Sequence, residues 1–394
     1  MARRDWFADL TGFSEGPSMT ATRARLQLQG EWLLCPANGA RYRVGRFSTP
    51  SLGELRRQAL ASVQQPGWHA GRLELSNVLG DAADFQRRPQ NRGATFQVAS
   101  QFNCLEWVDQ HGGPEAGVST YIKDKTQGPC CAISAGAGTI YRNYFVPVCC
   151  NGQEQIGQSS DQQIQNLRDL SEFVGNTGVT NDVQHQFFQV QSGYTLASDE
   201  GLTALNAVLG SYDKATLDKA RAALRVGLQE DVQVTSYSWG RMRVTDTEQT
   251  VTQVFGSACS IPYSGNPTAL WEPFARLVLE ASYEATLLCA VLTACRQADN
   301  KGFATANGPH RVFLTALGGG AFGNEHSWIA AALERALQHV TDLGVPLDVK
   351  LVSYGTCEEH IPPELIALAA RWQYRGTFEK EEEERVQTKR PRLI

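Results

Sequence analysis

The chain has 394 residues, 42% of them hydrophobic, enough to build a sizeable core in one large domain or two. Its 36 basic and 41 acidic residues leave a net charge of −5, which gives no electrostatic case for nucleic acid as a partner. The start, MARRDWFADLTGF, lacks the apolar run of a secretory signal, and the ten cysteines include no C-x-x-C pair. Free thiols in a reducing, intracellular and cytoplasmic setting are therefore expected, with no metal site and no cofactor.

Residues 1–65 read as an accessory helical region. Within it, SLGELRRQALASVQQ (51–65) predicts a helix capped by Ser51 and ended by Pro66-Gly67. RLELSNVLGDAADF (72–85) predicts a strand running into a turn at Gly80-Asp81, and ATFQVASQFN (94–103) a second strand. Residues 105–129 are loop-rich, and 129–148 read as a small-residue segment followed by a strand. Residues 151–250 are polar and Gln-rich and read as an insert, with helices expected at 162–174 and 215–228. TVTQVFGSA (250–258) predicts a buried strand. The apolar helix that follows, 269–295, carries Glu272, Arg276, Glu280 and Glu284, charges that argue against a membrane span. Strands at 311–317 and 348–355 flank a helix at 327–340. A helix at 361–378 and a disordered tail at 379–394 complete the chain. The tail includes KRPR (389–392), a candidate nuclear import signal. Repeated strand–helix–strand units imply parallel strands with crossover helices, hence a layered α/β architecture in which ligands bind at the carboxyl ends of strands.

LTALGGGAFGNEHSWIAAAL (314–333) holds four glycines in six residues between a strand and a helix. Unblocked amides and a helix N-terminus suit a diphosphate. No Gly-Lys-Ser/Thr follows, so it is not a P-loop. On the glycines alone, a phosphate cradle and a tight turn that packs helix on sheet fit equally well. No G-x-S-x-G supports a serine hydrolase, and no histidines pair at helical spacing for a metal.

Four segments, in order, resemble the macrodomains, which bind ADP-ribose: SNVLGD (76–81), FQVASQFNCLE (96–106), YEATLLCAVLTAC (283–295) and the glycine loop. The resemblance spans about residues 72–356. It implies a three-layer α/β/α fold with a mixed, mostly parallel sheet, a catalytic domain over 66–360, an N-terminal helical extension and an insert at 151–250. It implies Asp81 at the adenine amino group, Asn103 at the distal ribose, and Gly318, Gly319, Gly320, Ala321, Phe322 and Gly323 at the diphosphate. Gln101 and Ser100 would line the same mouth. Phe322 would stack on the ribose or plug the core, and Asn324 would touch ligand or cap the next helix.

The common macrodomain glycine stretch after the first-loop Asn is missing. CLEWVDQHGGPEAGVSTYIKDKTQGP stands there instead and looks like a divergent subgroup that removes ADP-ribose from arginine. Its carboxylates, Asp124 first, then Glu115 and Glu106, are candidates to activate water and steady an oxocarbenium-like centre, with Asp109 exposed. Acids also suit a cationic guanidinium leaving group. The expected activity is metal-independent hydrolysis of ADP-ribosylarginine on proteins, and the alternative is a non-catalytic reader of ADP-ribose. The expected partners are ADP-ribose and ADP-ribosylated protein, with no nucleic acid and no membrane. Arg142 is expected in a structural ion pair and Glu284 in solvent.

Overall fold

The computed structural model describes residues 5–64, 71–150, 152–176, 187–299 and 308–372. The tail at 379–394 lies outside them, and the expected C-terminal helix is helical over 363–372 as far as it is described.

The N-terminal segment is not purely helical. Two short helices, α1 (Trp6–Thr11) and α2 (Met19–Arg23), precede a meander of β1 (Gln27–Gln29), β2 (Trp32–Cys35) and β3 (Ala40–Arg43). Next, β4 (Arg46–Ser48) joins the edge of the main sheet. Helix α3 (Leu52–Val63) starts as expected, because Ser51 and Glu54 form a reciprocal capping box. Strand β5 (Leu73–Leu79) leads into α4 (Ala82–Gln86), whose N-cap is Asp81. Strand β6 (Thr95–Ala99) ends four residues earlier than expected, so Ser100–Asn103 belong to the loop.

The small-residue stretch forms two helices, α5 (Gln127–Ser134) and α6 (Gly136–Tyr144), ahead of the hairpin β7 (Pro147–Cys150) and β8 (Gln153–Ile156). The expected helix at 162–174 shrinks to α7 (Arg168–Phe173). A hairpin, β9 (Gln189–Gln191) and β10 (Tyr194–Leu196), is followed by α8 (Asp199–Ser211) and α9 (Lys214–Ala223). Residues 227–233, whose start was expected to be helical, are instead β11 (Gly227–Gln233), followed by the small ribbon β12 (Ser236–Tyr237) and β13 (Met242–Arg243). Strand β14 (Thr250–Gly256), helix α10 (Thr268–Asp299), β15 (His310–Thr315), α11 (His326–Thr341) and β16 (Leu347–Ser353) lie within a few residues of expectation.

Seven strands form the central sheet in the order β4-β11-β14-β6-β15-β16-β5. Five neighbours, β14 to β5, run parallel, and β11 is antiparallel to both β14 and β4. The sheet is mixed and mostly parallel, and strand alternation divides it between two helical layers. Val254, Val312, Leu314, Val349 and Leu351 face α3, α8, α9, α10 and α11. Phe96, Val98, Phe255, Phe313 and Val352 face α4 and α5. Phe313 stacks on Phe96 and Phe85 at 4.4 and 5.4 Å between centroids. Helix α10 is long and apolar enough to cross a membrane, yet 89% of its most apolar window is buried among the other elements. Its Glu284 is not in solvent. The carboxylate is buried and takes hydrogen bonds from Arg56 of α3 and Arg335 of α11 at 2.6–2.9 Å.

Candidate functional site

The parallel strands deliver their carboxyl ends to one edge of the molecule, and the loops leaving β6, β14 and β15 converge there. After β15, the chain turns sharply. Leu317 N–H is shared between Thr315 O and the Tyr283 hydroxyl, both at 2.8 Å, and that hydroxyl donates in turn to Thr315 O at 2.7 Å. Asn324 closes the far end. Its side-chain amide donates to Cys259 O (2.8 Å), Phe322 O (3.2 Å) and Gly318 O (3.3 Å), and its N–H donates to Gly318 O (2.9 Å). Gly319 and Gly323 spend their N–H groups inside the loop, on Ala316 O and Gly320 O. The N–H groups of Gly318, Gly320, Ala321 and Phe322 have no acceptor among the described residues. Gly318 has φ +74°, and a Cβ there would stand 2.5 Å from that of Ala258. Only glycine fits. At Gly320 a Cβ would meet nothing within 4 Å, so bareness there leaves space rather than relieving strain.

The acidic loop arrives from the opposite side. After Ala99 the chain makes a tight turn at Cys104, a non-glycine residue at φ +62°. Three groups hold the turn: Cys104 N–H to Gln101 O (3.0 Å), Arg142 Nε to Cys104 O (3.0 Å), and Asn166 Nδ2 to the Cys104 sulfur (3.3 Å). Arg142 is fully buried, stacks 3.8 Å over the Phe255 ring and hydrogen-bonds to Thr139 and Gln229. The expected ion pair does not form among the described residues. Burial pulls the guanidinium down to about 10.

The turn aims Glu106 into the protein, 2% exposed, with Oε1 lacking any hydrogen-bond partner among the described residues. Burial pushes this carboxyl well above the ordinary range. The Ser100 hydroxyl, shared with Leu105 O, and the Arg142 charge pull it back, while Asp124 pushes it further up. The carboxyl lies against the first turn of α5, where a Cβ on Gly128 would sit 2.5 Å from Glu106 Oε2 and 1.9 Å from Ala99 O. Asp124, half-buried, ends the preceding turn and accepts from Thr126 N–H at 2.9 Å, which orients it.

Between the two loops lies a cavity of about 160 Å³. Glu106, Asp124, Gln101, Gly318, Gly320, Ala321 and Phe322 of the sequence-derived set all contribute to its wall, and Ser100 does too. It is small beside the roughly 300–1,000 Å³ of a typical ligand pocket, so it would enclose part of a ligand whose remainder lies along the open strand ends. Gly319, Gly323 and Asn324 shape the loop from behind. Asn324 neither caps α11 nor lines the cavity.

Three sequence candidates are directed elsewhere. Asn103 is fully buried and spends its amide on Leu105 N–H (3.0 Å) and Gln163 (2.8 Å), so it builds the turn. Glu115 is exposed and holds Ser160 through its N–H and hydroxyl at 2.7 and 2.6 Å. Asp81 caps α4 by accepting from Ala83 N–H (2.9 Å), with the Cys130 thiol at 3.6 Å, further along the same edge. Gln101 reaches the wall with its amide already committed to both polar groups of the Trp107 backbone, at 3.0 Å each.

The aromatic wall was not foreseen. Tyr194, from the β9–β10 hairpin, and Tyr263 stand with Phe322 at centroid separations of 4.8–5.8 Å. The Tyr194 hydroxyl donates to Trp107 O at 2.6 Å, which ties the hairpin to the acidic loop. Tyr263 also borders a second hollow of about 390 Å³, towards Phe188 and Ser198. These are isolated aromatics in unpatterned stretches, and no sequence signal marks them.

The sequence matches no family profile and no curated protein. Among solved structures the chain is similar to the poly(ADP-ribose) glycohydrolase of Thermomonospora curvata. That likeness has 12% identity, covers 90% of this chain and 97% of that one, and has a TM-score of 0.39. It is also similar to the poly(ADP-ribose) glycohydrolase of Deinococcus radiodurans in complex with ADP-ribose. Here identity is 10%, coverage is 83% of this chain and 94% of that one, and the TM-score is 0.38. At that distance the likeness carries no chemistry, and function rests on the cavity itself.

Proposed function

We propose that the chain is an ADP-ribosylhydrolase that frees mono-ADP-ribose from arginine side chains of proteins, without a metal ion. One observation carries this reading: four residues with unclaimed amides and two with carboxyl groups line the same cavity. Amides of a loop that leads into a helix N-terminus suit a diphosphate. A buried carboxyl beside a hydrated one suits the breaking of a glycosidic bond, in which positive charge develops at the anomeric carbon.

In this reading the amides of Gly318, Gly320, Ala321 and Phe322 hold the diphosphate and turn the distal ribose towards Glu106. Burial keeps the Glu106 carboxyl protonated above the usual range, able to donate a hydrogen bond to a ribose hydroxyl. Asp124, nearer solvent, orients the attacking water, takes its proton and faces the developing cation. Water adds at the anomeric carbon, the C–N bond breaks, and the guanidine leaves with its electron pair and takes up the proton that Asp124 removed from the water. Phe322, Tyr194 and Tyr263 cover the ribose. The adenine would lie towards β16 and β5, against Tyr354, which is 80% exposed at the end of β16, with Asp81 at its amino group.

The arginine linkage is supported by charge. Burial raises the Tyr263 hydroxyl, a hydrogen bond with Tyr194 lowers it, and the charges of Asp124 and then Asp109 raise it, so both acids act on the aromatic wall. An aromatic rim flanked by acids favours a planar cation over an anionic leaving group.

The test is release of ADP-ribose from proteins modified on arginine, serine or glutamate, and from polymer. Release from arginine is expected, with Asp124→Ala lowering it by about 10²–10⁴-fold while ADP-ribose still binds. Binding without release from any linkage would make the chain a reader.

A further inference from the structure

The acidic loop rests on the sheet only at its start, where Cys104 packs with Phe96, Val98 and Phe255. Its apolar residues Leu105, Trp107, Val118 and Tyr121 belong to a separate cluster with Trp6, Phe7, Leu10 and Phe13 of the N-terminal segment and Tyr144 of α6. Tyr121 packs edge-on against Trp107, neighbour of Glu106, at 5.2 Å. Residues 5–24 therefore help to set the position of both candidate acids, alongside the Cys104 turn.

One polar contact fixes that packing. Residues Val118–Lys123 form a short 3-10 helix that ends at Asp124, and its N-terminus has no capping side chain of its own. Glu15 supplies the cap from over a hundred residues away. Its carboxylate accepts from Val118 N–H (2.7 Å), Ser119 N–H (2.9 Å) and the Tyr144 hydroxyl (2.6 Å). The approach needs glycine at 117, which has φ +73°, because a Cβ there would lie 2.3 Å from Glu15 Oε2. Glu15 is held in its own turn, where Gly16 N–H donates to Thr22 Oγ1 at 2.9 Å and Arg25 stacks 3.8 Å over Phe13.

We propose that Glu15 is a positioning residue for the reaction, and that the N-terminal segment is a brace setting Asp124 and Glu106 against the cavity. The proposal rests on the hydrolytic reading above. Glu15 does not line the cavity and touches no ligand; it acts by satisfying two amides of the turn that carries Asp124. The glycine loop packs on α10 and α11 and makes no hydrogen bond with Glu15, although its Phe322 also packs against the cluster of the N-terminal segment.

Glu15→Gln tests this, since it keeps the size and one acceptor but turns an amide N–H₂ towards Ser119 N–H. Misplacement of about 1 Å costs on the order of 10²-fold in rate, so kcat is expected to fall by that order. KM and calorimetric ADP-ribose affinity should stay within about twofold, since the diphosphate site is untouched. Amide hydrogen exchange should quicken across 117–124 while α10 and β15 keep their protection. Tyr144→Phe removes one contact of three, should fold normally and should give a smaller loss of the same kind. An unchanged kcat in Glu15→Gln, or equal losses in kcat and ADP-ribose binding, would overturn the proposal. If the wild-type chain releases nothing, the hydrolytic reading fails by itself. Exchange then decides the brace alone: loosening confined to 117–124 supports it, and unaltered exchange refutes it.

Discussion

Glu106 combines deep burial, an unpartnered oxygen and a raised carboxyl at the wall of a cavity. Such a group costs stability once its solution counterpart ionises. The native chain holds its proton over a range where the unfolded chain has released it, so stability falls as pH rises out of the ordinary glutamate range. Glu106→Gln is therefore expected to melt above the wild type at pH 7 and level with it near pH 4, the normal pattern of a site strained for function. Thermal scans at the two pH values check this, and equal midpoints at pH 7 would contradict it. In the sequence, Glu106 and Asp124 stood out as acids in a loop between glycine and proline breakers. Asn103 stood out as well, but its amide completes the Leu105 turn, and no sequence pattern distinguishes an amide aimed at ligand from one that builds the loop. Tyr194 and Tyr263 were invisible for a similar reason, since lone aromatics gain meaning only when the fold brings them together.

Elements were legible where one face is wet. Helices α3 and α11 show their apolar stripe, and α10 its length, because charged residues mark the other face or the ends. Helices α5 and α6 are buried almost all round, and small residues let them approach closely: a Cβ on Gly136 would stand 2.8 Å from Trp6, and one on Gly138 would stand 2.8 Å from Val232. Such a helix has no polar face to set a period. Strand β11, GLQEDVQ, hides because its buried polar residues are satisfied across the chain, with Gln229 Nε2 donating to Val44 O at 2.6 Å. The helical layer of α3, α9, α10 and α11 is pinned by Glu284, whose carboxyl burial pushes up but the Arg56 and Arg335 hydrogen bonds and charges bring below its ordinary range. That contribution is complete above the ordinary glutamate range and is lost as pH falls through the lowered value. Glu284→Ala removes the buried partner of two arginines and leaves them paired with the half-buried Asp218, so it is expected to cost about 2–3 kcal/mol in urea unfolding at pH 7, below the full cost of a broken buried pair, with a smaller difference near pH 3.

Across the whole molecule, the α/β order was readable because β14–α10–β15 and β15–α11–β16 are regular crossover units. The long-range ties were not. Glu15 reaches Val118, Tyr194 reaches Trp107, and Gly193 N-terminal to it offers its carbonyl to Phe102 N–H at 3.1 Å. Two segments far apart in the chain thereby frame one loop, and such pairings leave no periodic mark. What unites the molecule is the meeting of the bare glycine loop with the carboxyl groups beyond β6. A calorimetric titration of ADP-ribose into the folded 394-residue chain tests that meeting most directly. Saturable one-to-one binding is expected, weakened by about tenfold or more in Gly320→Ala, where a methyl group meets nothing in the protein within 4 Å and would crowd a diphosphate held by this loop. No heat of binding to the folded wild-type chain at millimolar ADP-ribose, or full affinity in Gly320→Ala, would contradict the diphosphate cradle on which the reading depends.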